Sequence, residues 1–330
     1  MDLIERFKTE AKQARKTIVY PEGDDERIPK AAQAVTEQGL AKAIVIGNTD
    51  EVQALAKQAG AKLDGVTVID PKASDDLARY AAEYNRRKPE VSEKVAARLL
   101  RRPLLFGAMM VSVGDADGMV GGVANATARM IEAGGLTIGY QPGLSGASSF
   151  FIMVVPQCLG ETDKALIFAD CAVNVNPTAK ELAEIAVASG RSARTLLGIE
   201  PKIAMLSFST KGSASHADVD KVVEATKRAK EIAPDLCIDG EMQGDAALVE
   251  RVAKKKVKES DVAGRANVLV FPDLDAGNIA YKLTQYLANA RAYGPIMQGF
   301  AKPINDMSRG ATVDDLVGVT AITAVQAKGS

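Results

Sequence analysis

An α/β fold with mainly parallel sheets is what this 330-residue chain predicts, and three observations carry the prediction. Short β-branched runs alternate with stretches of helical period along nearly the whole length. Most of these runs are continuously apolar rather than alternating, the pattern of strands covered by helices on both faces. The length suits about two domains of roughly 150 residues each. With 47% hydrophobic and 25% charged residues, the composition is that of a folded globular chain.

In chain order, Leu3, Ile4, Phe7 and Ala11 recur at helical spacing and predict a first amphipathic helix. The strand TIVYP follows, then AIVIGN (43–48), VTVID (66–70) and DGMVGG (117–122), with helices over 28–38 and 51–59. The 91–114 stretch reads as two consecutive helices, and 125–134 as another after DGMVGG. Next come SSFFIMVV (148–155), ALIFAD (165–170), IAMLSF (203–208), CIDGE (237–241), NVLVFPD (267–273) and GPIMQG (294–299). Helices over 178–198, 217–233, 245–254 and 276–290 separate most of them, and a last helix ends the chain. The glycine- and serine-rich GYQPGLSGASS (139–149) marks a boundary, and YGPIMQG (293–299) a second crossing. The expected division is therefore 1–145 plus 297–330 for one domain and 146–296 for the other.

Composition excludes several functions. The 41 Lys and Arg against 42 Asp and Glu leave no basic excess to reward nucleic acid or an anionic membrane. One histidine, His216, rules out a multi-histidine metal site or a paired-histidine acid/base scheme. Cys158, Cys171 and Cys237 are odd in number and widely spaced, which fits a reducing compartment rather than a disulfide framework. The charged amphipathic start, MDLIERFKTEAKQARK, is no signal peptide, and no apolar run approaches the ~18 residues of a membrane span. A cytoplasmic protein without membrane or nucleic-acid partners is expected.

Common phosphate and hydrolase signatures are absent. There is no G-x-G-x-x-G after a strand, no Walker loop and no G-x-S-x-G elbow. Polar, glycine-punctuated segments do follow several strands, where ligands gather in open α/β sheets. They are STKGSA (209–214), EMQGDAA (241–247), LDAGNIAYK (274–282) and KPINDMSRGATVDDL (302–316). The last carries Lys302, Asn305, Asp306, Ser308, Arg309 and Asp315, and an arginine beside serine and glycine suits an anion. Spacing alone leaves a second reading open, since Thr312 and Asp315 also form a helix-capping pattern. STKGSA likewise reads as an ordinary loop and cap, Lys282 as a solvated helix position and His216 as a surface helix start. Cys158 reads as a thiol near a strand end that lacks a histidine base.

Five longer strings resemble one family. VYPEGDDERI (19–28), AMLSFSTKGSA (204–214), DGEMQGDAA (239–247), NVLVFPDLDAGNIAYK (267–282) and GPIMQGFAKPINDMSRG (294–310) are similar, in order and almost end to end, to the phosphate acetyl/butyryltransferases. The resemblance implies two α/β domains of isocitrate/isopropylmalate dehydrogenase-like architecture with the active site in the cleft between them, usually as a homodimer. It implies reversible acetyl transfer between coenzyme A and inorganic phosphate through a ternary complex. Coenzyme A, phosphate and acetyl phosphate are then substrates, with no metal and no tightly bound cofactor. By motif, Asp315 matches the base toward the coenzyme A thiol, Ser308 the hydroxyl on acetyl phosphate and Arg309 the guanidinium on phosphate. Arg86 matches an arginine associated with coenzyme A, and Thr127 a hydroxyl of the acyl phosphate pocket. Two alternatives stand beside this: a butyryl or other acyl preference, and a non-catalytic coenzyme A or acyl phosphate binding module.

One family residue is missing. Where the family has an arginine-proline pair, this chain has Glu132 and Ala133. Arg129 lies three residues earlier on the same helical face and is expected to supply the guanidinium, with Glu132 orienting it through a side-chain pair; a plain exposed intrahelical pair worth about 0.2–0.5 kcal/mol is the other reading. The chemistry also constrains the base. Full proton transfer from a thiol of pKa ~8.5 to an ordinary aspartate at ~3.9 costs about 6 kcal/mol. Such a base must be strengthened by burial, or act as attack on the carbonyl makes the thiol acidic.

Overall fold

The computed structural model describes residues 2–329, and they divide into two units. The first holds the described residues through Tyr140 and from Phe300 onward; the second is Gln141–Gly299. The chain leaves and re-enters the first unit where Tyr140 bridges Phe300 and stacks on its ring, centroids 5.6 Å apart.

The first unit opens with α1 (Leu3–Ala14), capped by the Asp2 side chain, which accepts from Ile4 N–H. Then follow β1 (Thr17–Tyr20), α2 (Arg27–Glu37), β2 (Lys42–Ile46), α3 (Thr49–Gln58) and β3 (Thr67–Ile69). Three helices come next, α4 (Asp76–Arg87), α5 (Glu93–Leu100) and α6 (Pro103–Val113), before β4 (Gly118–Gly121) and α7 (Thr127–Thr137). The sequence reading omits α4, whose apolar face is thin: only Tyr80, Ala81 and Tyr84 are buried.

In the second unit, β5 (Ser148–Cys158) and β6 (Glu161–Ala169) precede α8 (Ala179–Ser192), which runs on into a π-helical turn at Ala193–Leu197. Then come β7 (Lys202–Leu206), α9 (Ala217–Ile232), β8 (Cys237–Met242), α10 (Gly244–Leu248) and α11 (Glu250–Lys256). The single helix expected over 245–254 is two, because Val249 takes an extended conformation between them. The unit ends with β9 (Val268–Val270), α12 (Leu274–Leu287) and β10 (Arg291–Gln298). Back in the first unit stand β11 (Ile304–Asp306) and α13 (Val313–Gln326).

The first sheet is five strands in the order β11-β4-β1-β2-β3, all parallel. Its core joins Ile18 and Tyr20 of β1, Ile28 and Val35 of α2, Val120 of β4 and Leu316 of α13. Polar bonds pin α13 to the sheet: the Tyr20 hydroxyl meets Thr320 at 2.7 Å, and the Asn305 amide donates to Thr323 at 2.8 Å. Such fully partnered buried groups specify how helix and sheet sit against each other. β11 is absent from the sequence reading because KPIND is polar. Burial of Asn305 is made tolerable by its Thr323 partner, which sequence alone does not display.

The second sheet runs β10-β5-β6-β9-β7-β8 and is mixed. β6, β9, β7 and β8 are parallel neighbours, whereas β5 pairs antiparallel with both β6 and β10. Continuous apolar runs report that both faces are covered, not which way a strand points. Direction here is set by the two-residue connection Leu159–Gly160, both at positive φ (53° and 85°), a tight turn that can only reverse the chain.

Candidate active site at the strand ends of the first unit

β1, β4 and β11 lie side by side and release their following segments at the same edge of the sheet. The connection from β1 moves toward β2, while β4 lies on the other side of β1. That arrangement makes the crevice in which open α/β sheets receive ligands. The segments meeting there are 21–26, 122–126 and 307–312.

Two charged side chains organise them. Glu22 is 1% exposed, and its carboxylate accepts from the Val123, Ala124 and Asn125 amides at 2.9, 3.1 and 2.7 Å. The Asn125 side-chain amide adds a fourth bond at 2.8 Å. Successive amides converging on a carboxylate form an anion nest, filled here from within. Arg27 starts α2 and reaches three segments with one guanidinium. It forks onto Asp25 (2.8 and 2.7 Å), and donates to the carbonyls of Arg309 (2.7 Å), Ala311 (2.9 Å) and Val123 (3.1 Å). The Arg27 guanidinium in turn holds the Asp25 carboxyl below the usual carboxylate range.

Asp306 ends β11 and is buried. Its Oδ2 accepts the Thr127 hydroxyl at 2.6 Å, while Oδ1 is buried without a hydrogen-bond partner. Burial pushes this carboxyl up to about 6, the Thr127 bond opposing and the Glu22 charge adding. Beyond it the chain turns, with Ser308 Oγ accepting from Gly310 N–H at 3.2 Å and Ala311 N–H donating to the Ser308 carbonyl at 2.9 Å. Ser308 and Arg309 are both exposed, and among the described residues the Arg309 guanidinium carries no hydrogen bond or ion pair.

Asp315 completes a capping box at the start of α13. Its Oδ2 accepts the Thr312 N–H at 2.9 Å and hydroxyl at 2.8 Å, and its own N–H donates back at 3.2 Å. The capping reading of the spacing is thus realised, and the side chain is exposed, so burial is not what would make it an effective base.

The remaining expected residues divide. Thr127 belongs to the cluster through Asp306. Arg129 and Glu132 lie exposed on α7, and among the described residues no ion pair links them, so the expected pair is not formed. Arg86 forks onto Glu83 at 2.7 and 2.7 Å near the end of α4, and together with Arg87 it holds the Glu83 carboxyl down to about 2. Among the described residues, no hydrogen bond joins Arg86 to the strand-end cluster.

The polar segments of the second unit are internally satisfied. Buried Glu241 accepts the Ser209 hydroxyl at 2.9 Å and the Gly212 N–H at 2.7 Å, and Lys211 pairs with Asp239 at 2.6 Å. His216 is the exposed N-cap of α9, Lys282 is exposed on α12, and Cys158 is the last, half-buried residue of β5. Burial pushes the Cys171 thiol well up. Among the described residues, no group of three or more His, Cys, Asp or Glu is placed to hold a metal ion, and no helix is long and apolar enough to cross a membrane.

Sequence reasoning named most of the exposed polar residues and missed two organisers, Glu22 and Arg27. The signal was a carboxylate directly after a strand, in YPEGDDER, at a position where ligand-binding loops begin.

Comparison with known proteins agrees with this layout. A model of the family described as "Phosphate acetyl/butaryl transferase" matches residues 2–324. A phosphate acetyltransferase of Acetivibrio thermocellus is 49% identical over 330 residues, covering 99% of this chain and 99% of that protein. One from Thermoanaerobacterium thermosaccharolyticum is 48% identical, covering 99% of this chain and 100% of that protein. The crystal structure of a phosphotransacetylase from Streptococcus pyogenes superposes with a TM-score of 0.90 at 42% identity, over all of both chains. With a family model matching residues 2–324, relatives at 48–49% identity over nearly the full length and a superposition over all of both chains, this chain belongs to the phosphate acetyl/butaryl transferase family.

Proposed function

We propose that the protein catalyses the reversible transfer of an acetyl group between coenzyme A and inorganic phosphate. The observation that carries this reading is 48–49% identity over nearly the whole chain to phosphate acetyltransferases. The exposed Ser308–Arg309 turn beside the Asp315 cap supports the assignment of roles.

Toward acetyl-coenzyme A, the thiol sulfur attacks the carbonyl carbon of acetyl phosphate. The carbon–oxygen bond to the phosphoryl group breaks, and phosphate leaves with the bonding pair. The thiol proton passes to Asp315. Both cap bonds fall on Oδ2, and among the described residues Oδ1 carries none, so Oδ1 is the oxygen that takes the proton. The carboxyl is exposed, so the transfer runs together with attack, which makes the thiol acidic. Arg309 meets the phosphate oxygens as a fork, Ser308 donates its hydroxyl to the acetyl phosphate, and Thr127 and Arg129 flank the same anion. Fixed donors facing charge that develops at the phosphate and carbonyl oxygens supply the larger catalytic part. Arg86 serves coenzyme A after letting go of Glu83. No metal and no tightly bound cofactor enters the scheme, and the working form is a cytoplasmic homodimer, which light scattering checks as a mass twice that of the chain.

The test is acetyl phosphate plus coenzyme A, without added metal, beside propionyl and butyryl phosphate. Acetyl-coenzyme A should form fastest. Preference for butyryl phosphate would move the substrate assignment, and binding without turnover would make the protein a binding module.

A further inference from the structure

Asp306 stands two residues before Ser308, at the point where β11 hands over to the exposed turn. The handover is tightly fitted. Met307 N–H donates to the Gly121 carbonyl at 2.7 Å, and Gly122 sits opposite at φ 98°. A Cβ on Gly122 would stand 2.1 Å from Asp306 Oδ1 and 2.7 Å from both Met307 N and O, so only glycine fits. Glu22, the other buried carboxylate nearby, has four N–H donors, whereas Asp306 has the Thr127 hydroxyl on one oxygen and nothing on the other.

We propose that Asp306 is a positioning residue for anion binding: through its bond to Thr127 it locks the turn carrying Ser308 and Arg309 against the start of α7, without touching substrate. The proposal rests on the reading that this turn holds phosphate. It also changes the part played by Thr127, whose hydroxyl proton is committed to Asp306 rather than to acyl phosphate.

The groups around Asp306 decide which protonation state holds the lock. The segment after β1 contributes Glu22, whose charge acts on it, and the paired Asp25 and Arg27. α7 contributes neutral Thr127 and exposed Arg129, the end of β4 contributes glycines, and α13 reaches β11 through neutral Thr323 on Asn305. Burial and Glu22 together outweigh the Thr127 bond, so the neutral carboxyl is the favoured form in acid and gives way near pH 6. Ionising Asp306 strengthens the bond it accepts from Thr127, but it also places a second buried negative charge beside Glu22 with one oxygen unpartnered, and that larger penalty strains the handover from β11 to the turn.

The experiment measures equilibrium binding of inorganic phosphate and of coenzyme A by calorimetry. It uses wild type, Asp306→Asn, Asp306→Ala, Thr127→Val and the Asp306→Ala/Thr127→Val pair. Asp306→Ala should weaken phosphate about 10-fold and coenzyme A by less than about 2-fold. Asp306→Asn, which imitates the neutral carboxyl, should stay within about 3-fold of wild type at about pH 5. Thr127→Val should add less than about 2-fold on the Asp306→Ala background, because both changes remove one bond. The ratio of phosphate Kd, wild type over Asp306→Asn, should rise at least about 3-fold between about pH 5 and about pH 8, the ionisation of phosphate itself cancelling in the ratio. Equal losses for both ligands, a full Thr127→Val loss on the Asp306→Ala background, or a pH-independent ratio would each overturn the proposal. A wild type that binds phosphate but does not turn over acetyl phosphate and coenzyme A defeats the proposed activity and leaves these ratios readable.

Discussion

Arg27 holds Arg309 by its main chain: the Arg27 Nη1 donates to the Arg309 carbonyl at 2.7 Å, leaving the Arg309 guanidinium in solvent. One half-buried fork thus sets where a second, exposed fork begins. The same guanidinium also takes the Ala311 and Val123 carbonyls, so the turn after β11 and the segment after β4 are tied to one atom group.

Arg27→Ala should therefore damage both stability and the site. Losing charge-assisted bonds to three carbonyls and leaving Asp25 unpaired should cost about 1.5–3 kcal/mol in urea unfolding. The apparent KM for phosphate should rise about 10-fold with the loss of the fixed turn. Wild-type stability together with wild-type KM would mean that the turn holds its shape without Arg27.

Asp315→Asn separates capping from catalysis. Asparagine keeps the size of the side chain, so the start of α13 should weaken by only about 1 kcal/mol. If Asp315 takes the thiol proton, kcat should fall about 10²–10⁴-fold while coenzyme A affinity stays nearly unchanged. A variant with near wild-type kcat would return Asp315 to the cap alone.

Asp306 predicts a pH dependence of stability with a definite sign. Its folded-state value, about 6, lies above the ordinary 3.8, so the folded protein holds this proton more tightly than the unfolded chain. The stabilisation is complete below about pH 4 and is lost as pH rises through about 6. Asp306→Asn does not titrate, so relative to wild type it should become more stable across that window, by about 1–3 kcal/mol at neutral pH. Denaturant titrations on both sides of the window check this, and a constant difference between the two proteins would contradict it.

Arg129→Ala tests whether an arginine has moved by one helical turn. Arg129 is exposed and unpaired with Glu132, so its guanidinium is available to an anion. Loss of one charge-assisted contact should weaken phosphate or acetyl phosphate by about 1.5–3 kcal/mol, with coenzyme A little affected. Wild-type kinetics would leave the anion to Arg309 and its neighbouring amides.

Local pattern was enough for much of this molecule. Apolar runs separated by helical periods predicted the α/β class, and most strands fall where those runs are, because burial of a strand on both faces is written in consecutive residues. The capping box at Thr312 and Asp315 was equally legible, since both partners lie within one turn. The motifs from VYPEGDDERI to PINDMSRG carried the family resemblance, although they did not disclose what each residue touches.

Tertiary structure decided the rest, wherever the deciding partner is distant in sequence. Glu22 is buried because amides 101–103 residues away close around it. Arg27 acts on carbonyls up to 284 residues away, and Thr127 meets Asp306 across 179. β11 exists as a strand because β4 offers it a ladder, although its own polar sequence predicts a loop. Arg129 and Glu132 show the converse: spacing that permits a pair does not form one when both side chains remain in water, where such a pair gains only about 0.2–0.5 kcal/mol. Periodicity reports burial, whereas the meaning of a buried charge depends on which donors the fold brings to it.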